Sequence, residues 1–496
     1  METPMAPSLT DTISRAASDA RLLLPEGYLI LTFLAGLVLD LALPRREKRL
    51  IGYIAIVGLL GTLWATALLA GRMSPAAGIP VFSGMILLDP AAFFFKYLIL
   101  AGTAVTILAA TRSHDIGNGD EGIFYLLMLA GGLGAMLLAS AGDLVMTYLA
   151  LEFTSLTGYL LAGFLRRDAK SGEAGLKYVI FGAMASGAMI FGFSLLYGIT
   201  GETSLAGVAR GLAQQNPDAA LLAPALLLSF AGIGYKIAAA PFHFWSPDVY
   251  EGAPTVATAF FSVVPKAAGF AVLLRWVSAL AVLPGEAGRL VMWGIAAAAV
   301  LSMFIGNLTA LGQTNLKRLL AFSSVAQAGY MLLGAVTPGP DGRAAVLFYL
   351  AAYAVMNLGA FLVALALENA TGSAELDDLR GTVRKAPVLA IAMCVFCFAL
   401  TGLPPLSGFM GKLLIFGSLV GGCRWELVLA GVLNTVLSLF YYVKVVRVLV
   451  VDRPQNDTPL SIAPLYPVLV SILAVATILL GVVWKPLYDL AAASLP

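Results

Sequence analysis

The chain is a succession of apolar stretches, each about as long as a bilayer is thick, and that repetition leaves the backbone few shapes. A helix needs about 20 apolar residues to cross the hydrocarbon layer. Fourteen such runs follow one another, at roughly 22–43, 50–70, 86–111, 122–140, 142–164, 172–200, 221–250, 254–283, 288–311, 314–336, 343–370, 386–420, 425–450 and 461–492. The expected fold is an all-α polytopic membrane protein of about fourteen transmembrane helices. Composition agrees: 60% of residues are hydrophobic and 12% charged, with a mean hydropathy of +0.90, far from the soluble balance. Residues 1–21 are polar, and Arg15 and Arg21 precede a first run too long for a signal-peptide core, so that run is read as a retained helix.

Several function classes fall away on residue counts. A net charge of +2 with no basic cluster among aromatics gives no reason to expect nucleic acid. Cys394 and Cys397 form a C-x-x-C one turn apart in an apolar run, with only Cys423 besides, whereas an iron–sulfur cluster needs four ligands. The two histidines, His114 in a loop and His243 in a run, leave no bis-histidine haem. No G-x-G-x-x-G follows a strand. The chain is expected to hold no redox cofactor and no metal.

Proline and charge then organise the runs. Pro241 lies in the seventh, Pro265 in the eighth, Pro404 and Pro405 in the twelfth, and Pro464 and Pro467 at the start of the fourteenth. A mid-run proline removes a backbone hydrogen bond, and freed carbonyls at membrane depth must be met by protein or water, so broken helices mark polar cavities. Loops after odd-numbered runs hold sixteen Lys and Arg against eight on the other side, which places both termini outside the cytoplasm. Glu152–Gly163 (EFTSLTGYLLAG) in the fifth run echoes Ala321–Gly334 (AFSSVAQAGYMLLG) in the tenth. Five helices separate them, an odd number, so the second copy is inverted and the broken seventh and twelfth helices become equivalents.

Ionisable residues sit inside these runs. Lys236 and Glu152 lie beside the midpoints of theirs, Lys266 near the middle of the eighth, and Lys412 seven residues beyond Pro405. Lys177 is five residues into its run, about 8 Å deep at 1.5 Å per residue, and His243 follows the Pro241 break. An ionisable group at bilayer depth is costly and is usually kept for transport. The set spreads along the membrane plane, which suits lateral proton transfer. Each residue also has a plainer reading. Lys177 can snorkel to the interface, His243 can hydrogen-bond a freed carbonyl, and Glu152 with Lys236 can be a buried ion pair that fixes packing. Lys96 and Arg275 are expected to pair with acids, and Asp40, Asp89 and Asp143 are read as solvated helix ends.

Gly232–Thr255 (GIGYKIAAAPFHFWSPDVYEGAPT), Gly175–Gly187, Ala150–Leu161 and Leu400–Phe416 (LTGLPPLSGFMGKLLIF) closely resemble the antiporter-like membrane subunits of proton-translocating NADH:quinone oxidoreductase, respiratory complex I. Within that family they are closest to the N type. PDVYEGAP follows PFHFW, Lys412 stands where M-type subunits carry a glutamate, and no long lateral helix of the L type follows the fourteenth run. The resemblance implies an N-terminal three-helix segment at 1–121, two inverted five-helix repeats at 122–283 and 284–450, and a last helix at 451–496.

It also implies roles. Glu152 would pair with Lys236, Lys266 and His243 would connect the half-channels, and Lys412 would be the distal lysine; Lys177 completes the candidate proton path. An ion pair at about 4 Å is worth about 4 kcal/mol at an effective dielectric near 20, enough to drive a relay if the pair opens and closes. NADH, FMN, iron–sulfur clusters and quinone are expected in partner subunits, with M-type and K-type membrane neighbours and the lipid bilayer around this chain, in a bacterial inner membrane with both termini periplasmic. Two related readings remain open: a subunit of a multisubunit cation/proton antiporter, and the equivalent subunit of a ferredoxin-linked photosynthetic complex. A third is a membrane spacer whose buried charges only lock helices together.

Overall fold

The computed structural model describes residues 9–72, 78–117, 119–280, 285–337, 339–454 and 459–495. The repeat boundary expected at 283/284 lies outside the described residues, as do residues 1–8 and Pro496. The helices follow as α1 Leu9–Leu22, α2 Leu24–Ala42, α3 Arg49–Ala70, α4 Pro90–Ala110, α5 Glu121–Ala139, α6 Leu144–Ala162, α7 Ala169–Thr200, α8 Leu205–Gln215, α9 Ala219–Ile237 and α10 Trp245–Gly252. They continue as α11 Thr255–Leu280, α12 Gly285–Leu311, α13 Leu316–Val336, α14 Pro340–Thr371, α15 Thr382–Lys385, α16 Pro387–Thr401, α17 Ser407–Gly421, α18 Trp425–Val450, α19 Leu465–Val482 and α20 Lys485–Ala493. Among the described residues thirteen helices are long and apolar enough to cross a membrane, and the shorter apolar pair α16 and α17 takes the place of the twelfth run.

The loops sort themselves onto two ends, as fourteen crossings require. At one end Lys170 meets Glu251, Arg318 meets Asp248, and the His114 N–H donates to Asn369, which brings together loops after odd-numbered runs. At the other, Asp143 bridges Ser204, Arg275 meets Asp89, and the Phe82 N–H donates to Asp19 of α1. Leu495 lines a cleft with Asp89 and Ser204, so the N- and C-terminal segments share this second end. Because α6 starts at the second end and α13 at the first, the two helices that carry the matching stretches run in opposite directions.

Two of the four expected proline breaks are present. The seventh run stops at Ile237 and resumes at Trp245, and the twelfth stops at Thr401 and resumes at Ser407. Pro265 instead lies inside the uninterrupted α11, which is buried along its whole spanning window. Packing on every side tolerates the one missing hydrogen bond there. Pro464 is the N-cap of α19 and Pro467 sits in its first turn, where a proline leaves no intrahelical bond unmade. The third run also begins later than its hydropathy suggests. Residues 86–88 form β2, paired with β1 Ile79–Val81, before α4 starts at Pro90. The helices α1 and α8 are amphipathic, so neither forms an apolar run in the sequence.

The middle of the bundle is made of α11 and α13, both wholly buried along their spanning windows, and of α14, nearly so, whereas α2, α3 and α19 are mostly exposed and form the rim. Several charged groups outside the middle are paired. Lys96 and Glu26 are both buried and lie 2.6 Å apart, tying α4 to α2. Arg275 grips Asp89 through two bonds of 2.7 and 2.8 Å and also donates to the Ala139 carbonyl. Asp40, Asp89 and Asp143 are buried rather than solvated. Asp89 and Asp143 accept from the Ala92 and Met146 N–H groups as helix N-caps, and Asp40 meets Lys48 at 2.9 Å.

These pairs generate a stability prediction. Glu26→Ala strands the Lys96 ammonium in the interior, a loss of about 3–5 kcal/mol, and is expected to lower the melting temperature of the detergent-solubilised protein. The combined change Glu26→Leu with Lys96→Met buries no charge and is expected to restore it. A double variant as unstable as Glu26→Ala would show that the pair does more than hold α2 to α4.

Candidate proton path

Three lysines expected from the sequence are buried in the middle of the bundle: Lys236 on α9, Lys266 on α11 and Lys412 on α17. None of the three has a carboxylate within salt-bridge distance among the described residues, in contrast to Lys96. Lys236 Nζ donates to Ser155 Oγ at 2.7 Å. Lys266 Nζ donates to Ser324 Oγ at 2.7 Å and to the Ser324 carbonyl at 3.0 Å. Lys412 Nζ donates to the carbonyls of Thr401 at 2.8 Å and Leu400 at 3.2 Å, and lies 4.0 Å above the Tyr330 ring.

The local sequence explains each placement. The break after Thr401 ends α16 early and frees the last carbonyls of that helix, which are what Lys412 binds. Gly402, with a φ of +96°, turns the chain there, and a Cβ on it would meet the Lys412 Cδ at 3.0 Å. At the other break Ala238 is left-handed, with a φ of +55°, and the Trp245 indole donates to the Tyr235 carbonyl while Ser302 accepts from the Ala240 N–H. Gly269 lets α9 press against α11, since a Cβ there would meet the Lys236 Cγ at 3.2 Å. Gly269 lies one turn beyond Lys266, so the Lys236 stem packs against α11 one turn from Lys266.

The expected Glu152–Lys236 contact is not closed. Glu152 and Ser155 lie one turn apart on α6, and Lys236 reaches that turn but ends on the hydroxyl, leaving Glu152 Oε1 buried without a hydrogen bond. His243 is buried in the break, its ring 4.5 Å from that of Phe244, with the Pro241 backbone beside it and no well-formed hydrogen bond at Nδ1. Lys177 lies apart from this group. Its amine is held at the surface by Glu173 at 2.7 Å and Asp248 at 2.6 Å, within a cluster that includes Arg318 and Glu251. That position fits the snorkelling reading.

Between Lys266 and Lys412 runs a chain of polar groups not anticipated from sequence. Ser323, next to Ser324, hydrogen-bonds the Tyr442 hydroxyl. Gln327 Nε2 donates to that hydroxyl at 3.3 Å and to the Leu400 carbonyl at 2.8 Å, the same carbonyl that Lys412 uses. Tyr349 donates to Gln327 Oε1 and so fixes the amide's orientation. The signal was present in part: Ser155 belongs to the stretch in the fifth run, and Ser323, Ser324, Gln327 and Tyr330 all belong to its partner in the tenth. A neutral serine or glutamine in an apolar run simply draws less notice than a charge. Among the described residues no group of three or more His, Cys, Asp or Glu could hold a metal ion.

Residues 141–438 match the family described as NADH:quinone oxidoreductase/Mrp antiporter, TM. NADH-quinone oxidoreductase subunit N of Anaeromyxobacter sp. (strain Fw109-5) is 42% identical over 497 aligned positions, covering 95% of each chain. A chain of respiratory complex I from Thermus thermophilus with bound aureothin superposes with a TM-score of 0.79 at 32% identity, over 95% of this chain and all of that one. A chain of the Mrp complex from Dietzia sp. DQ12-45-1b superposes at 0.81 with 21% identity over 95% of this chain and 96% of that one, which is a likeness of fold. The chain belongs to the NADH-quinone oxidoreductase subunit N family, within the NADH:quinone oxidoreductase/Mrp antiporter transmembrane proteins.

Proposed function

We propose that this chain is a proton-translocating membrane subunit of NADH-quinone oxidoreductase, moving protons laterally along Glu152, Lys236, Lys266 and Lys412 while the redox chemistry takes place in partner subunits. The observation that carries the reading is the row of three buried lysines held by hydroxyls and carbonyls rather than by carboxylates. A buried ammonium without a counter-ion is costly, while its neutral amine is not, so such a group can take up a proton and give it up again. A lysine kept only for packing would be paired, as Lys96 is.

In this reading Glu152 acts on Lys236 across about one helical turn, and pumping alternates between an open arrangement, with Lys236 on Ser155, and a closed ion pair. His243 joins Lys236 to the first end of the bundle. Gln327 and Tyr442 carry the proton between Lys266 and Lys412. Lys177 acts at the margin, through its carboxylate cluster. The segments 122–283 and 284–450 act as two inverted half-channels, each with its broken helix. The chain itself binds no redox group; NADH, FMN, iron–sulfur clusters and quinone belong to other subunits, and its membrane neighbours are of the M and K types. The membrane is taken to be a bacterial inner membrane, and the charge bias of the loops supports both termini lying on the periplasmic side. A cation/proton antiporter subunit is the second reading, supported by the likeness of fold alone.

Lys236→Ala is expected to lower coupled proton pumping sharply, with assembly of the complex retained, as measured in membrane vesicles and on native gels. Lys236→Arg should restore little, because arginine stays protonated at any usable pH. Normal pumping by an assembled Lys236→Ala complex would remove the residue from the path.

The link through α13 gives a separate test. Gln327→Leu keeps the volume but breaks the chain to Leu400 and Tyr442, and is expected to reduce pumping about tenfold or more if the amide passes protons. Lys177→Ala, in a surface cluster, should cost less than Lys412→Ala. If Lys177→Ala proved the more damaging of the two, the assignment of the distal half-channel would be wrong.

A further inference from the structure

At the first end of the bundle the loops enclose a cavity of about 260 Å³ whose charged lining includes Asp115, Asp168, Glu251, Lys317, Glu368 and Glu375. It opens over the N-terminus of α11, the helix that carries Lys266. Glu368, in the last turn of α14, spans the boundary between the two. Its Oε1 accepts from Lys317 at 3.0 Å, facing the cavity, and its Oε2 accepts from the Thr255 hydroxyl, facing the interior. Lys317 also reaches the Ala253 carbonyl at 3.4 Å, a second acceptor on which it can rest when it leaves the carboxylate.

Behind Thr255 the interior is not uniformly apolar. Thr255, Thr258, Ser262 and Lys266 are spaced three, four and four apart and therefore share one face of α11, and all four are buried. Lys266 lies eleven residues beyond Thr255, about 16 Å along the helix at 1.5 Å per residue. Beside this stripe the hydroxyls of Ser246, Tyr250 and Tyr353 are buried without a well-formed hydrogen bond of their own, and Tyr250 and Tyr353 both approach Ser324, the residue that holds Lys266. Buried hydroxyls in this state can be completed by one another or by a bridging water. In the cavity itself, burial, followed by the Glu368 carboxylate, raises Asp115 above its usual carboxylate range, so a proton is held there more readily.

We propose that Glu368 is the intake carboxylate of a proton route from this cavity to Lys266, along the Thr255–Thr258–Ser262 stripe and the hydroxyls around Ser324. The inference rests on the proton-path reading of Lys266. A hydronium ion at the mouth of the cavity breaks one of its O–H bonds, leaving water, and the proton forms an O–H bond on Glu368 as Lys317 shifts to the Ala253 carbonyl. That bond breaks as the proton passes inward, and each hydroxyl or bridging water then accepts one proton and releases another. The last proton goes to the neutral Lys266 amine, which becomes an ammonium, and Glu368 is again a carboxylate. No electrons move.

The test uses the assembled complex in membrane vesicles, with NADH-driven proton translocation and the amount of complex on native gels as readouts. Glu368→Gln and Thr255→Val are each expected to lower translocation about tenfold with assembly at the wild-type level, while Thr255→Ser retains it. Translocation within about twofold of wild type in both variants, beside an impaired Lys236→Ala, would overturn the route and leave the proton-path reading standing. Normal translocation by Lys236→Ala as well would overturn both. Equal loss of assembled complex in Glu368→Ala and Lys317→Ala, with Thr255→Val fully active, would show a structural tie between α13 and α14 and also overturn the route.

Discussion

A backbone carbonyl set free inside a membrane has to be met by a donor, and at the two helix breaks of this chain those donors include the Lys412 amine and the Trp245 indole. At the second break the terminal carbonyls of α16 hold Lys412. At the first, the Trp245 indole meets the Tyr235 carbonyl, which leaves Lys236, one residue further on, to reach across to α6. Had the twelfth run continued as one straight helix, the Leu400 and Thr401 carbonyls would be tied up in intrahelical bonds and the Lys412 amine would need another acceptor.

The contrast between paired and unpaired charge then orders the whole bundle. Lys96 with Glu26 and Arg275 with Asp89 are closed pairs between helices, and they behave as fasteners. The three central lysines have ligands that can take either a charged or a neutral amine, because a hydroxyl can turn and a carbonyl can lose its donor to a neighbour. They are carried by or packed against α11, α13 and α17, and the first two of these helices are sealed from lipid along their spanning windows. A polar chain in that position is shielded from the bilayer and connected sideways, which is the direction a lateral relay requires.

Much of this was legible in the sequence because hydropathy reports membrane crossings directly and a charge inside an apolar run is conspicuous. The fourteen crossings, the breaks at Pro241 and Pro404–Pro405, and the three lysines were all visible in this way. What escaped had weaker or misleading signals. Pro265 resembles the other prolines in sequence, yet α11 continues through it because neighbours surround the helix. Asp89 and Asp143 sit at helix ends, where solvent would be expected, but loops and Arg275 cover them. Ser155 intercepts Lys236 before it reaches Glu152, a difference of one turn that spacing alone does not resolve. Gln327 and Tyr442 are neutral, and only the tertiary packing of α13 against α16 and α18 brings them between Lys266 and Lys412.

The central claim is that protons cross from one half of the chain to the other through Lys266, the lysine held between α11 and α13. The most direct measurement is the simultaneous recording of proton and electron flux in vesicles that carry the assembled complex with Lys266→Met, which keeps the length of the side chain and removes the proton-binding amine. The account predicts that the protons moved per NADH oxidised, or the rate of both fluxes together, fall well below wild type. Proton and electron fluxes both at wild-type level would contradict it.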